Sequence, residues 1–420
     1  MAVDPHAEVT MIDLTASATA GAAARSEPAA CPACAAPAPE AFIRLAGLPV
    51  HGTAVFTTPD EARAVTTGDQ ELALCGTCGV VFNRAFDMSK LDYTGEHEES
   101  QHLSPRFAAY AAELSGQWVQ RHGLRGAHVV EIGCGAGDFA AELLRAGVGT
   151  VTGIDPHFGP DRVPADLAER LSAVPAFYSP WMVEPGTAAI VCRHTLEHIP
   201  ELAVFGSDIM AGMQAAGVPV LLAEVPDLGR ILTDGAFWDL QYEHCSYFTP
   251  DTLAGYLSGL GFDVLDVRTT YTDQYVVAEA APARHPAPSG EPGPAAELDR
   301  LHLLCEGFAT HTLGRIAHWG SWLDDRAAAG ERVVVWGGGA KGLTFLNMLR
   351  DHAAAVSAVV DINPGLQHHY IGGLGLPIVA PHDLVPAPPR TVLLMNPVYA
   401  GEVRSLLDEL GLHTTELITV

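Results

Sequence analysis

The chain has 420 residues, with 23 Lys plus Arg against 50 Asp plus Glu, a formal net charge of −27, and 8 Cys. That length points to two or three domains, and 48% apolar with 17% charged residues can build ordinary cores. The negative charge excludes a nucleic-acid binder that tracks phosphates with clustered Lys and Arg, and it excludes docking on anionic lipid. It leaves room for an anionic small molecule, because backbone N–H groups hold phosphates without basic side chains.

No apolar run is long enough to span a bilayer. The first 30 residues are Ala-rich but broken by Asp4, His6, Glu8, Asp13, Arg25 and Glu27. They lack a basic start followed by an apolar block, so we expect a disordered leader over 1–30, no signal peptide and a cytoplasmic, reducing location. There, cysteines are thiols or metal ligands before they are disulfides. Two knuckles, Cys31-Pro-Ala-Cys34 and Cys75-Gly-Thr-Cys78, are separated by 40 residues. They predict one structural zinc held by Cys31, Cys34, Cys75 and Cys78 in a small domain over 31–85, with no open position for catalysis.

A helix is expected over 105–122, then a strand at 128–132, a glycine turn, a helix from Asp138 and a strand over 150–154 ending at Asp155. Strands at 188–192, 218–224, 262–267 and 275–279 alternate with helices at 202–215 and 251–259. This alternation implies a mainly parallel, doubly wound α/β sheet over 86–282. The turn reads Glu131-Ile-Gly133-Cys-Gly135-Ala-Gly137. Its glycines permit a sharp turn and close approach of a ligand, and the acidic residue some 20 positions on suits a ribose diol. The spacing resembles motif I of class I methyltransferases, which bind S-adenosylmethionine. On that reading Glu131, Gly133, Gly135 and Gly137 cradle the cofactor and Asp155 takes the ribose. A nicotinamide fingerprint would carry Gly where this chain has Asp138.

Two blocks carry acid–base groups. His194-Thr-Leu-Glu197-His198 has the letters of an inverted zinc-protease motif. Its place directly after the fourth strand of a methyltransferase-like core argues instead for His198 as an acid–base group near the methyl donor. Tyr242-Glu243-His244-Cys245-Ser246-Tyr247-Phe248 lies in a long connection at the carboxyl ends of the strands, where such sheets bind ligands. A Glu beside a His can supply a tuned base, and a Tyr can stabilise an oxyanion.

A Pro-rich linker over 281–296 leads to a long helix at 297–328 and a second strand–turn–helix unit. Its turn, Gly337-Gly-Gly339-Ala-Lys341-Gly342 with Asp361 further on, has dinucleotide-site letters. We read it as a substrate turn able to hold a diphosphate through its backbone and Lys341.

In this order, CPAC…CGTC, EIGCGAGD, EHCSYF, WGGGAKG, VVDINPGLQ and Met395-Asn396-Pro397-x-Tyr399 resemble the bacterial deoxysugar C-methyltransferases over residues 31–420. The resemblance implies a zinc-binding domain at 31–85, a class I methyltransferase Rossmann-like core at 86–282, and a Rossmann-like substrate-binding domain at 283–420. It implies S-adenosylmethionine as cofactor. It implies methylation of a carbon next to a keto group of a nucleotide-activated deoxysugar, by base-assisted enolate formation. His244 would be the base, oriented by Glu243, with His198 or Tyr242 polarising the keto oxygen. Tyr93, Tyr247, Gly337, Gly339, Lys341 and Asn396 would contact the small-molecule substrate. The chain departs from the family pattern at Gln241, at Cys245 and in the Tyr93 segment, so a related carbon acid is the wider expectation. The alternatives are an O- or N-methyltransferase of a non-sugar metabolite and a nicotinamide-dinucleotide-binding protein using Gly337–Gly342.

Overall fold

A computed structural model describes residues 12–14, 30–91, 101–283 and 295–420. Tyr93, most of the leader and part of the Pro-rich linker lie outside these residues. Strands β1 (Ile12–Leu14), β2 (Ile43–Pro49), β3 (Thr67–Leu74) and β4 (Val81–Asn83) open the chain, with a short helix α1 (Pro59–Arg63) between β2 and β3. Thr58 starts α1 through a reciprocal capping box with Glu61. The first knuckle precedes β2. The second is the turn from β3 to β4, closed by Cys75 N–H to the Val80 carbonyl at 3.0 Å.

The central unit runs α2 (Pro105–Arg121), β5 (His128–Ile132), α3 (Asp138–Ala146), β6 (Thr150–Ile154), β7 (Leu171–Val174), β8 (Thr187–Arg193) and α4 (Leu202–Ala216). It continues through β9 (Leu221–Pro226), α5 (Leu228–Asp234), β10 (Ser246–Tyr247), α6 (Pro250–Gly259), β11 (Phe262–Thr270) and β12 (Tyr275–Pro282). Helix α2 begins at an Ser104 cap with Pro105 in its first turn, and it buries Phe107, Ala111, Leu114 and Trp118 at helical spacing. Seven strands form one sheet in the order β11-β12-β9-β8-β5-β6-β7. The strands from β9 to β7 are parallel, whereas β12 is antiparallel to both neighbours. The cause is local: β11 and β12 are joined by a tight turn with positive φ at Tyr271, Thr272 and Asp273, too short for a crossover. This is the class I methyltransferase arrangement, an α/β Rossmann-like core as expected.

The last unit comprises α7 (Ala295–Ala328), β13 (Val333–Trp336), α8 (Ala340–Met348), β14 (Val356–Val360), β15 (Ile378–Val379), β16 (Thr391–Leu394), α9 (Ala400–Glu409) and β17 (Glu416–Thr419). Its sheet, in the order β15-β14-β13-β16-β17, is parallel throughout. Val333, Val334 and Val335 are fully buried, as the unbroken apolar run of a central parallel strand requires.

The units interlock. Strand β10 leaves the central unit and pairs antiparallel with β4, completing the N-terminal sheet. One apolar cluster joins Leu45 and Leu72, Phe237 and Trp238, and Phe308 and Phe345, drawn from all three units. No described helix is long and apolar enough to cross a membrane.

Candidate active site

A cavity of about 810 Å³ opens where the three units meet. Its wall includes Glu131, Gly133 and Gly135, then His194, Glu197 and His198, then Glu243 and His244, and finally Gly337, Gly339 and Lys341. Motifs far apart in sequence thus face one space.

The first glycine turn has φ of +68° at Gly133, +54° at Gly135 and +83° at Gly137, values that favour glycine. A Cβ on Gly133 would stand 2.1 Å from Thr195 Oγ1, and one on Gly137 would stand 2.6 Å from the Phe158 ring. One on Gly135 would meet nothing within 4 Å. Gly135 therefore offers bare backbone to the cavity. Gly137 does not line it: contrary to expectation, it packs on Phe158 and starts α3. Gly135 N–H donates to Asp155 Oδ2 at 3.1 Å and His157 N–H to Oδ1 at 2.8 Å, so Asp155 braces the turn with lone pairs to spare; contrary to expectation, it is not among the residues that line the cavity. Burial pushes the Glu131 carboxyl up to about 8, and its Oε2 has no hydrogen-bond partner.

Strand β8 ends in Arg193, which is buried, lies 3.9 Å over the Phe139 ring and pairs with Glu224, itself bonded by Tyr110. The chain then turns through His194 at φ +47° into a 3₁₀ turn over Leu196–His198. The protease-like letters therefore do not share a helix face. Glu197 is 1% exposed, and His194 Nδ1 lies 3.5 Å from its Oε1.

The segment after α5 folds over this turn. Cys245 N–H donates to the Glu197 carbonyl at 2.8 Å, and the Cys245 carbonyl accepts from Asn83 N–H at 2.9 Å. His244 faces the cavity with its ring edge-to-face on His198, centroids 4.8 Å apart. Burial, then the neighbouring His198, pulls the His244 ring down to about 3, so the imidazole is neutral and keeps one ring nitrogen that can accept a proton.

Three sequence assignments are corrected. Tyr242 does not reach the cavity: its hydroxyl accepts from Asp87 N–H at 2.9 Å, and its ring stacks on Phe86 and covers Gly68. Tyr247 is also turned away, accepting from Gln70 Nε2 at 2.8 Å and donating to the Gln241 carbonyl at 3.3 Å. Glu243 lines the cavity but does not orient His244. Its Oε2 accepts from Gly52 N–H at 2.8 Å, and its Oε1 lies 3.3 Å from His51 Nδ1. Burial opposes its charge, but the His51 bond, His198 and the Gly52 N–H hold the carboxyl below its usual range.

The second glycine turn repeats the design of the first. Gly338 N–H donates to Asp361 Oδ2 at 2.6 Å, and a Cβ on Gly339 would meet open space. A Cβ on Gly342 would stand 2.0 Å from the Gly337 carbonyl oxygen, so only glycine lets α8 start this close to β13. Lys341 pairs with buried Asp239, which also binds Arg230. Burial, then Arg230, lowers the Lys341 ammonium far below its usual range. Asn396 lines the cavity while exchanging two hydrogen bonds with Gln274, at 3.0 and 2.9 Å.

His51 and Gly52 carry no sequence signal, since they reach Glu243 only through contact between units; Arg230 and Asp239 pair within the central unit and meet Lys341 of the last unit at the cavity. Away from the cavity, the thiols of Cys31, Cys34, Cys75 and Cys78 lie within 4.8 Å of one another. Cys31–Cys78 and Cys34–Cys75 are each 3.6 Å apart, close to the ~3.8 Å between thiolates that share a tetrahedral zinc.

Residues 88–267 match a family model described as a methyltransferase domain. Residues 295–420 match one described as a C-methyltransferase C-terminal domain. A curated relative, the ubiquinone biosynthesis O-methyltransferase of Citrobacter koseri, is 34% identical over 117 residues. That match covers 26% of this chain, and the chain spans 45% of the relative's length. Among solved structures, the Burkholderia thailandensis 1,6-didemethyltoxoflavin-N1-methyltransferase aligns with a TM-score of 0.33 at 21% identity, over 41% of this chain and 78% of that one. The magnesium protoporphyrin IX methyltransferase of Synechocystis aligns with a TM-score of 0.33 at 16% identity, over 45% of this chain and 90% of that one.

Proposed function

We propose that this chain, whose residues 88–267 and 295–420 match a methyltransferase domain and a C-methyltransferase C-terminal domain, carries out S-adenosylmethionine-dependent methylation at carbon. The acceptor we propose is a carbon acid, with its reacting carbon next to a keto group of a nucleotide-activated deoxysugar or a related small molecule. The observation that carries this reading is the single cavity shared by the Gly133–Gly137 turn, the Glu197–His198 and Glu243–His244 pairs, and the Gly337–Gly339 turn.

The cofactor supplies an electrophilic methyl group when bound. The open backbone at Gly135 and the orphaned Glu131 oxygen suit it, with Asp155 fixing the turn. His244 takes the proton from the acceptor carbon, and the C–H electron pair moves toward the keto oxygen. His198 polarises that oxygen. A bound S-adenosylmethionine would supply the methyl group to that carbon and leave as the neutral thioether. Apolar walls at Phe139, Ile231 and Trp336 limit water. The second glycine turn, with its open backbone at Gly339 and with Asn396 beside it, holds the remote, phosphorylated part of the acceptor, while Lys341, committed to Asp239, steadies the turn. The four clustered cysteines hold one structural zinc, which organises residues 31–85.

An O- or N-methyl acceptor is the second reading, favoured by the name of the curated relative and served by the same base. A screen of nucleotide-linked keto sugars and keto acids with labelled methyl donor tests both. Carbon NMR showing a new C–CH₃ supports the first, and a new O–CH₃ or N–CH₃ overturns it in favour of the second. Binding of nicotinamide dinucleotide without S-adenosylmethionine would overturn both.

A further inference from the structure

Among the described residues, one other set of ligating side chains converges besides the four cysteines. Glu197, His198 and His244 each present a donor atom, and these atoms lie within 4.8 Å of one another. Neither Glu197 oxygen has a hydrogen-bond partner, although the side chain is almost fully buried. The buried Nδ1 of His244 has none either. A buried carboxylate without donors is costly unless a cation compensates it. His194 Nδ1 lies 3.5 Å from Glu197 Oε1. That is the position of a supporting partner that orients a ligating carboxylate.

The scaffold is fixed on both sides. The 3₁₀ turn presents Glu197 and His198 together, and the Cys245 N–H bond to the Glu197 carbonyl locks the His244 segment against it. All three residues line the cavity, so further coordination positions face its interior.

We propose that Glu197, His198 and His244 form a second metal site, which takes a divalent cation of the zinc, cobalt or nickel class. Two imidazoles and one carboxylate are the donor set for such borderline cations, and too few oxygens for Mg²⁺ or Ca²⁺. A bound ion occupies both histidines that the methylation chemistry needs. Excess metal therefore inhibits transfer, a consequence that rests on the reading of His244 as base; the binding itself does not.

The test is titration of Co²⁺ into full-length protein whose cysteine site is filled with zinc. One additional equivalent is expected, giving visible d–d absorption without sulfur-to-metal charge transfer. Glu197→Gln and His198→Ala should each weaken it about tenfold or more while S-adenosylmethionine affinity, read by calorimetry, is unchanged. Absence of the additional equivalent, or equal affinity in both variants, overturns the site. If cobalt binds there and methyl transfer proceeds at full rate, the metal site stands and His244 as base falls.

Discussion

Glu243 is held by the N-terminal unit: His51 Nδ1 lies 3.3 Å from its Oε1, across 192 positions of sequence. With the Gly52 N–H at 2.8 Å on the other oxygen, the carboxylate is fixed at the cavity wall from outside the methyltransferase core.

His51→Ala should therefore slow methyl transfer without loosening the cofactor. Removing a hydrogen bond to a charged group costs about 1.5–3 kcal/mol; where that cost falls on the cavity wall in the transition state, it lowers the rate by about ten- to hundredfold. Steady-state rates and calorimetric cofactor affinity measured side by side check this. Equal losses in both would show that the variant disturbs the fold and not Glu243.

Tyr242→Phe should leave turnover within a few-fold of the parent, since the hydroxyl bonds Asp87 backbone and not the cavity. Stability should fall by about 1 kcal/mol, the worth of one hydrogen bond. A collapse in turnover with unchanged melting would return Tyr242 to the reacting groups.

Two glycines in one turn should behave differently. Either Ala substitution costs about 1–2 kcal/mol for the positive φ. Gly133→Ala adds about 1–3 kcal/mol of overpacking against Thr195. Gly135→Ala projects its methyl into the cavity and should weaken S-adenosylmethionine at least tenfold. Denaturant midpoints and cofactor binding separate the two effects.

Glu131 predicts a pH dependence. Its folded-state value of about 8 lies above the ordinary carboxylate value of 4.5, so the folded protein holds a proton there that the unfolded chain has already lost. Its contribution is thus complete at low pH and is withdrawn as pH rises toward 8. A cationic ligand beside it favours the carboxylate, so S-adenosylmethionine binding near pH 7 should release a proton. Calorimetry in buffers of different ionisation enthalpy measures that release, and Glu131→Gln should abolish it.

Replacing Cys75 and Cys78 together by Ser should remove one zinc per chain and also lower methyl transfer, because β4 carries β10 and the residues before it. Metal analysis and activity on the same preparation check the link. Full metal content in the double variant would contradict the cysteine site.

The Gly133–Gly137 turn was legible because its determinants are local: glycines at fixed offsets between a strand and a helix, with an acid at the end of the next strand. The His244 block could be located by the same logic, at the carboxyl edge of the sheet. Its individual side chains could not be assigned, because an irregular segment has neither the two-residue nor the 3.6-residue period that tells inside from outside. Tyr242 and Tyr247 pack into the protein away from the cavity, whereas His244 faces it. His51 and the Arg230–Asp239–Lys341 cluster were invisible because they arise only where units dock.

Strand β10 is two residues long and belongs by sequence to the catalytic connection, yet it serves as the edge of another unit's sheet. The chain is therefore poorly suited to exchange of its parts: grafting a different N-terminal unit onto this core would redraw the acceptor wall. Conversely, a change at His51 or Gly52 reshapes the cavity wall at Glu243 without touching the Gly133–Gly137 turn.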